Sequence, residues 1–276
     1  ATGDLVNSII IENDGEMKET DFHGVEDVAS LSKEQIIEKV KEAGVVGMGG
    51  AGFPTHVKLS PKEPDKIEFI IANCAECEPY LTSDYRRLLE YGEQVVEGLK
   101  VMLALFDKAK GYICIEDNKP DAIELMKEKT AAIDNIEVVE AKTKYPQGAE
   151  KMLIKRVMGR QVPRGGLPAD VGCVVSNIST TKAISDAIRK GMPLIERVVT
   201  VTGERIKNPG NYIVKIGTNT KDLIDYCGGL VGDDITIKAG GPMMGFVLND
   251  TNVPIMKGSN GIIAVETDHS VEQPCI

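Results

Sequence analysis

Basic residues and long apolar runs are both scarce in this chain. Its 276 residues include 32 lysines and arginines against 42 aspartates and glutamates, a formal net charge of −10. An acidic protein repels the phosphate backbone, so we expect no nucleic-acid partner. No apolar run reaches the roughly 20 residues that cross a bilayer. The longest candidate, residues 95–106, contains Lys100, so we expect no membrane-spanning segment within the chain.

Cysteine is also sparse, and its spacing excludes a secreted disulfide framework. Only two of the six cysteines, Cys74 and Cys77, are close in sequence, which favours a reducing cytosolic compartment. Their C-A-E-C spacing allows half a zinc site or a redox pair, but no second pair or nearby histidine completes four ligands. We therefore favour packing over metal binding for both, with Cys77 beneath the glycine loop described below.

Strand and helix patterns alternate over residues 31–194. A continuous apolar strand at 66–73 precedes a helix at 82–107, and further strands follow at 111–116 and 136–141. This βαβαβ order predicts a largely parallel sheet covered by helices, and therefore the α/β class. The other elements predicted here are helices at 30–44, 120–132, 148–159 and 179–191 and a strand at 171–177.

The pattern changes after Pro193. Two alternating strands flank an Asn-Pro-Gly turn within 197–217, and a short helix at 220–229 and a strand at 234–241 follow. Hairpin, helix and strand in this order predict a small β-grasp-like module of ordinary domain size.

A glycine-rich loop follows the first predicted helix. Five glycines occupy the thirteen positions 44–56, and Gly47, Gly49 and Gly52 satisfy G-x-G-x-x-G. The dinucleotide fingerprint requires a strand before the glycines and a helix directly after them, whereas here a helix precedes and two prolines follow. The P-loop is excluded as well, because Phe53 stands where Gly-Lys-Ser/Thr would continue.

The residues around these glycines favour a binding wall over a flexible surface loop. Backbone amides without side chains can contact a flat ring or bind an anion, and Lys58 can bind a negatively charged group. We expect a positive φ at Gly49, where a β-branched side chain would fill the space of a ligand.

The loop "GMGGAGFPTHVK" resembles the flavin loop of the flavoprotein subunit of respiratory complex I. The nearer resemblance is to the RnfC family, the NADH- and FMN-binding subunits of the Rnf electron transport complex. It extends over "NCAECEPY" (73–80), residues 145–177 and residues 196–250, which resemble an SLBB domain. The closing "PCI" resembles the start of a cluster motif, so Cys275 would be a metal ligand only in a full-length protein.

The resemblance implies a division into four regions. Residues 1–30, with a strand at 8–13, would be the remnant of an N-terminal domain and a linker. Residues 31–194 would bind FMN and NADH, 195–250 would be the SLBB domain, and 251–276 a linker toward a missing ferredoxin-like, iron–sulfur part. Because both ends look cut, we expect a fragment of a longer protein.

The resemblance also implies the site residues. Glu150 would be the catalytic carboxylate at the contact between nicotinamide and flavin, where a helix N-terminus suits a polar ligand. Phe53 would stack on NAD(H) or pack in the core, and Glu76 and Glu78 would accept hydrogen bonds from ring nitrogens or ribose hydroxyls. The remaining expected cofactor contacts are Gly47, Gly49, Gly50, Gly52, Lys58, Asn73, Gly148, Asn177 and Thr180.

One substitution departs from the family pattern. Met48 stands where complex I carries an arginine between the first two glycines. This removes one cation, so we do not expect identical phosphate contacts.

The implied function is electron transfer. Hydride would pass between NAD(H) and FMN, and electrons would pass to or from [4Fe-4S] clusters that only the full-length protein would hold. The expected partners are other Rnf-type subunits and a ferredoxin-like carrier, and the expected place is the cytoplasmic face of the cell membrane, reached through those subunits. Two alternatives remain: a relative that serves cobalamin or proline reductase, and a non-catalytic SLBB-type binding protein.

Overall fold

The computed structural model describes residues 9–16, 18 and 20–270 of the chain. The first of its two sheets is formed by strands β1 (Phe69–Cys74), β2 (Lys110–Glu116), β3 (Ile136–Ala141) and β4 (Cys173–Asn177). They lie in the order β3-β2-β1-β4, and every neighbouring pair is parallel. The predicted parallel sheet is therefore confirmed.

Helices cover both faces of this sheet. They are α1 (Lys33–Glu42), α2 (Thr55–Lys58), α3 (Ser83–Leu103), α4 (Pro120–Thr130), α5 (Glu150–Met158) and α6 (Ile178–Arg189). Ile70 of β1 packs in the core with α1, α3, α4 and α6, while Ile71 packs on the opposite side with α5. Burial on both faces explains why β1 is a continuous apolar run, because successive side chains of a strand point to opposite faces.

Local caps set the ends of two helices beside the glycine loop. Ser32 and Gln35 form the predicted capping box of α1, and Gly44 follows that helix with φ of +63°. Asn177 caps α6 by accepting a hydrogen bond from the Ser179 N–H. The glycine loop thus begins at a defined helix end.

The second sheet has five strands and one helix. The strands are β5 (Glu196–Thr202), β6 (Gly210–Lys215), β7 (Ile235–Ala239), β8 (Phe246–Val247) and β9 (Gly261–Glu266), and the helix is α7 (Thr220–Tyr226). Their order is β6-β5-β9-β7-β8, with β9 parallel to β5 and antiparallel to β7. The core between sheet and helix contains Val199, Leu223 and Ile262.

Two expectations from the sequence are wrong. Residues 261–266, expected within a linker, form the central strand of the second sheet, because Ile262 and Ile263 are buried there between β5 and β7. No strand forms over the described part of 8–13, where Ile9 is 89% exposed and no sheet edge adjoins it. A segment with strand propensity forms a stable strand only when a neighbouring strand supplies hydrogen bonds and packing.

None of the helices described is long and apolar enough to cross a membrane. Cys275, the cluster ligand expected for a full-length protein, lies outside the described residues.

Candidate functional site

The glycine loop is a closed turn between α1 and α2. The Gly47 N–H donates to the Phe53 carbonyl at 2.8 Å, and the Gly52 N–H donates back to the Gly47 carbonyl at 3.2 Å. Gly52 adopts φ of +68°, a conformation that side chains other than glycine rarely accept. These bonds close the base of the turn, where Phe53 is 51% exposed.

Helix α6 binds the glycine loop through the Thr180 side chain. The Met48 N–H donates to the Thr180 hydroxyl at 2.9 Å, and that hydroxyl donates to the Val46 carbonyl at 3.3 Å. A Cβ atom on Gly49 would lie 2.9 Å from the Asn177 side chain. Gly49 itself does not have the positive φ expected from the sequence. Glycine is required there by close contact with Asn177.

A cleft opens between the loop, α2 and the end of β4. Gly47, Phe53, Lys58, Asn177 and Thr180 are among the residues that line it. The cleft lies at the carboxyl end of β4 beside the start of α6, where open α/β sheets collect ligands. These five residues were all expected as cofactor contacts, and the fold brings them together.

An ion pair joins α2 to α5 at this cleft. The Lys58 ammonium lies 2.9 Å from a Glu150 carboxylate oxygen and donates to the Val175 carbonyl at 3.0 Å. Glu150 is the first residue of α5, and both side chains keep about a third of their surface exposed, 34% and 37%. The expected catalytic carboxylate therefore lies against a cation that lines the cleft.

Asn73 and Gly148 form the adjoining wall. Asn73 lies directly opposite Asn177 in the β1–β4 pair, and its amide donates to the Gly148 carbonyl at 2.8 Å. Its oxygen accepts from the Ala75 N–H at 3.1 Å. A Cβ atom on Gly148 would lie 2.3 Å from the Ala75 carbonyl oxygen. The Asn73–Gly148 hydrogen bond and the close approach of Gly148 to Ala75 therefore hold the segment before α5 in place.

The structure does not bring Glu76 and Glu78 into the cleft. Glu76 caps α3, accepting from the Asp84 N–H at 2.9 Å and the Tyr85 N–H at 3.1 Å. Burial, with the Asp84 carboxylate next to it, raises the pKa of Glu76 from an ordinary 4.5 to about 7. Glu78 instead accepts from the N–H groups of Met243 and Met244 at 2.7 and 2.9 Å, so it binds the loop after β7.

Sequence analysis did not identify Asp84 as a residue of the site. Its carboxylate accepts from the Asn177 amide at 2.6 Å and from the Ser179 hydroxyl at 2.8 Å, so it orients the cap of α6. The only sequence signal is an acidic residue in the first turn of α3, which indicates no more than a favourable helix dipole.

Cys74 and Cys77 differ in their surroundings. Cys74 is 1% exposed, and burial raises the pKa of its thiol. The Cys77 sulfur accepts from the Gly148 N–H at 3.3 Å, so it packs against the loop before α5 and not beneath the glycine loop as expected. Among the described residues there is no group of three or more His, Cys, Asp and Glu that could hold a metal ion.

The cleft fits a flat, phosphorylated ring system such as FMN. Its lining combines one cation, Lys58, with the polar Asn177 and Thr180 and with apolar side chains that include Leu59 and Met102. No atom lies within 4 Å of where a Cβ atom on Gly50 or Gly52 would stand, so this edge of the loop is open to a ligand. Thr55 and Ser176 add further polar groups, and a concave site that combines apolar side chains with positioned polar groups is typical of cofactor sites.

Fold and site together define a flavin-binding α/β protein joined to a β-grasp-like module. The family model described as the Nuo51 FMN-binding domain matches residues 40–186, and that described as the SLBB domain matches residues 198–247. The chain belongs to the Nuo51 FMN-binding domain family.

Two curated relatives confirm the resemblance to the RnfC family. A subunit of the proton-translocating ferredoxin:NAD(+) oxidoreductase complex of Clostridium ljungdahlii is 49% identical over 98% of this chain and 60% of the relative. A subunit of the Na(+)-translocating ferredoxin:NAD(+) oxidoreductase complex of Acetobacterium woodii is 42% identical over 96% of this chain and 60% of the relative. The chain thus spans about 60% of the length of these relatives.

Solved structures share the fold. An NAD+-reducing [NiFe]-hydrogenase in the H2-reduced state aligns with TM-score 0.68 at 20% identity, over 88% of this chain and 49% of the hydrogenase chain. Its air-oxidized state aligns with TM-score 0.71 at 21% identity, over 85% and 47%.

Proposed function

We propose that this chain is the NAD(H)- and FMN-binding part of a subunit of a ferredoxin:NAD oxidoreductase. The observation that carries the proposal is the cleft between the glycine loop and β4, with Lys58 lining it and Glu150 paired to Lys58. The names of the two relatives support the reaction class. Residues 31–194 would form the flavin unit, and the second unit, proposed from 195, would extend to the end of β9.

The loop and the start of α6 would hold the cofactor. Gly47, Gly49, Gly50 and Gly52 present backbone without side chains, and Lys58 supplies the positive charge for a phosphate or for the dinucleotide. Asn177 and Thr180 supply polar groups at the carboxyl end of β4. The exposed ring of Phe53 offers an apolar surface on which nicotinamide can stack.

Glu150 would position nicotinamide against the cofactor. FMN bound in the cleft would supply the chemistry that exchanges a hydride with NAD(H) and single electrons with an acceptor. Asn73 and Gly148 would keep Glu150 in place, since their hydrogen bond fixes the segment before α5. Glu76 and Glu78 would act indirectly, through the caps and loops that they bind.

The rest of the electron path is proposed from the relatives alone. It comprises [4Fe-4S] clusters beyond this chain with Cys275 as one ligand, other Rnf-type subunits, a ferredoxin-like carrier, and a place at the inner face of the cell membrane. The relatives are named as subunits of ion-translocating complexes, and they are longer than this chain.

Titration of FMN into the purified chain tests the proposal. We expect quenching of flavin fluorescence that saturates at one FMN per chain. NADH added without oxygen should then bleach the flavin absorbance, and ferricyanide should restore it. Absence of saturable quenching contradicts FMN binding, while binding without bleaching contradicts the NAD(H) assignment.

A further inference from the structure

A second cavity lies between the unit that contains the first sheet and the unit that contains the second. The glycine loop separates it from the flavin cleft. The cavity is lined by α3, α6 and the start of β5. Met48 lines it, but none of the residues that line the flavin cleft does. The cavity is therefore separate from the cleft, with the glycine loop as a common wall.

Two arginines in this cavity are buried without an anionic partner. Arg87 is 7% exposed and Arg197 is 3% exposed, and the Nε atom of each has no hydrogen-bond partner among the described residues. Neither guanidinium has a carboxylate oxygen of a described residue within 4.0 Å. Arg197 donates to the backbone carbonyls of Met48 and Lys257, which carry no full charge.

Both acidic side chains that line the cavity lie next to lysines, although the buried Asp186 Oδ1 atom makes no hydrogen bond of good geometry. Asp186 lies 2.5 Å from the Lys182 ammonium and 2.9 Å from the Lys190 ammonium. Glu196 lies 3.0 Å from the Lys215 ammonium. The guanidiniums of Arg87 and Arg197 therefore lack a direct ion pair among the described residues, and buried charges are costly unless they are paired.

The two guanidiniums also act on each other. Burial lowers the pKa of Arg197 to about 10, and the charge of Arg87 contributes to that decrease. Burial lowers the pKa of Arg87 as well. The Asp84 carboxylate opposes both decreases, and the Asp186 and Glu196 carboxylates also oppose that of Arg87. The Asp84 oxygens bind Asn177 and Ser179, and those of Asp186 and Glu196 lie next to lysines. Two cations that repel each other across one cavity are stabilised together by a single dianion.

We propose that this cavity binds a phosphate group, held between Arg87 and Arg197. A phosphate dianion matches two positive charges, and the planar guanidinium fork is suited to phosphate oxygens. Met192 and the exposed Ile213 add apolar surface beside the two guanidiniums. The group can therefore be free phosphate or the end of a small phosphomonoester.

Calorimetric titration with inorganic phosphate at constant ionic strength tests the proposal. We expect one site in the wild type, and Arg87→Met should weaken phosphate binding about thirtyfold or more. Arg86→Met is the matched control, because Arg86 is the preceding residue of α3 and about half exposed, at 48%. It should bind phosphate like the wild type.

The unfolding temperature gives an independent readout. Because the Arg87 guanidinium lies buried without a carboxylate partner among the described residues, Arg87→Met should unfold in phosphate-free buffer at a temperature no lower than the wild type. Addition of phosphate should raise the unfolding temperature of the wild type and leave that of the variant unchanged. If Arg87→Met does not fold, Arg87→Lys serves instead, which keeps the charge, loses the fork and should bind phosphate more weakly.

Phenyl phosphate distinguishes the two sources of the group. Binding at least about tenfold tighter than inorganic phosphate would indicate a phosphomonoester, and equal binding would indicate free phosphate. Equal phosphate affinity in the wild type and Arg87→Met overturns the proposal. FMN quenching should be unchanged in Arg87→Met, so a failure here is separable from a failure of the flavin assignment.

Discussion

The Glu150 carboxylate lies 2.9 Å from the Lys58 ammonium at the wall of the flavin cleft. The two residues come from different helices, 92 positions apart in the chain. Their pairing places the expected catalytic carboxylate beside the expected phosphate-binding cation. Each can be tested separately because they are assigned to different parts of the ligands.

Glu150→Gln should retain FMN but react more slowly with NADH. The amide keeps the size of the side chain and loses the charge that would position nicotinamide. We expect flavin reduction or NADH affinity to fall by about tenfold or more. Stopped-flow flavin reduction measures both, with Glu128→Gln on α4 as the control. Wild-type kinetics in Glu150→Gln would assign this residue a structural role.

Lys58→Met should weaken FMN binding more than riboflavin binding. Riboflavin lacks the phosphate, so a cation that meets the phosphate contributes only to FMN. We expect a loss of about tenfold for FMN and little change for riboflavin. Fluorescence titrations with both flavins measure this, and the exposed Lys62→Met is the control. Equal losses for the two flavins would place Lys58 at the ring or ribityl chain.

Gly49→Val should abolish FMN binding while the fold persists. Its Cβ atom would stand 2.9 Å from Asn177, so loop and α6 must move apart and the cleft between them changes shape. Flavin titration and circular dichroism report binding and folding. Gly258→Ala is the control, since no atom lies within 4 Å of the added Cβ atom. FMN affinity equal to that of the wild type would disprove the loop's role.

Thr180→Val should destabilise the loop. The buried Thr180 hydroxyl accepts from the Met48 N–H and donates to the Val46 carbonyl, and valine leaves both groups without this partner. The free energy of unfolding in urea should fall by about 1–3 kcal/mol. Thr130→Val is the control, because that buried hydroxyl bonds only within its own helix, and it should cost about 1 kcal/mol or less. Equal losses would mean that the contact between loop and α6 adds nothing.

Glu76 should make stability depend on pH. Its pKa is about 7 in the folded protein against 4.5 when unperturbed, so between these values the folded state binds more protons than the unfolded state. Stability must then decrease as pH rises from about 4.5 to 7, by about 1–3 kcal/mol. Glu76→Gln should lack this decrease, whereas Glu124→Gln, exposed on α4, should retain it. Urea unfolding across this range measures the difference, and identical pH profiles would contradict the shift.

Much of the first unit was predictable because its signals are local. The strand at 136–141 and the capping box of Ser32 and Gln35 follow from residues that are neighbours in sequence. The same holds for the glycine loop, whose composition alone excludes a regular helix or strand. The resemblance to a known family then named the cleft residues that the fold brings together.

Other features depended on contacts that are distant in sequence. Residues 261–266 have an ordinary apolar pattern, and only pairing with β5 and β7 makes them the centre of a sheet. Glu76 and Glu78 both looked like ligand contacts, yet their partners are backbone N–H groups of α3 and of residues 243–244.

The sequence by itself determined the order of elements, the helix caps and the glycine loop, because periodicity, capping and glycine content act over a few residues. Only the tertiary structure decided which charges meet. Lys58 pairs with Glu150, Asp84 holds Asn177, and Arg87 and Arg197 share a cavity whose acids are paired with lysines. These contacts depend on how the elements pack together. The partners Lys58 and Glu150, Asp84 and Asn177, and the two arginines of the cavity are each separated by about a third of the chain or more.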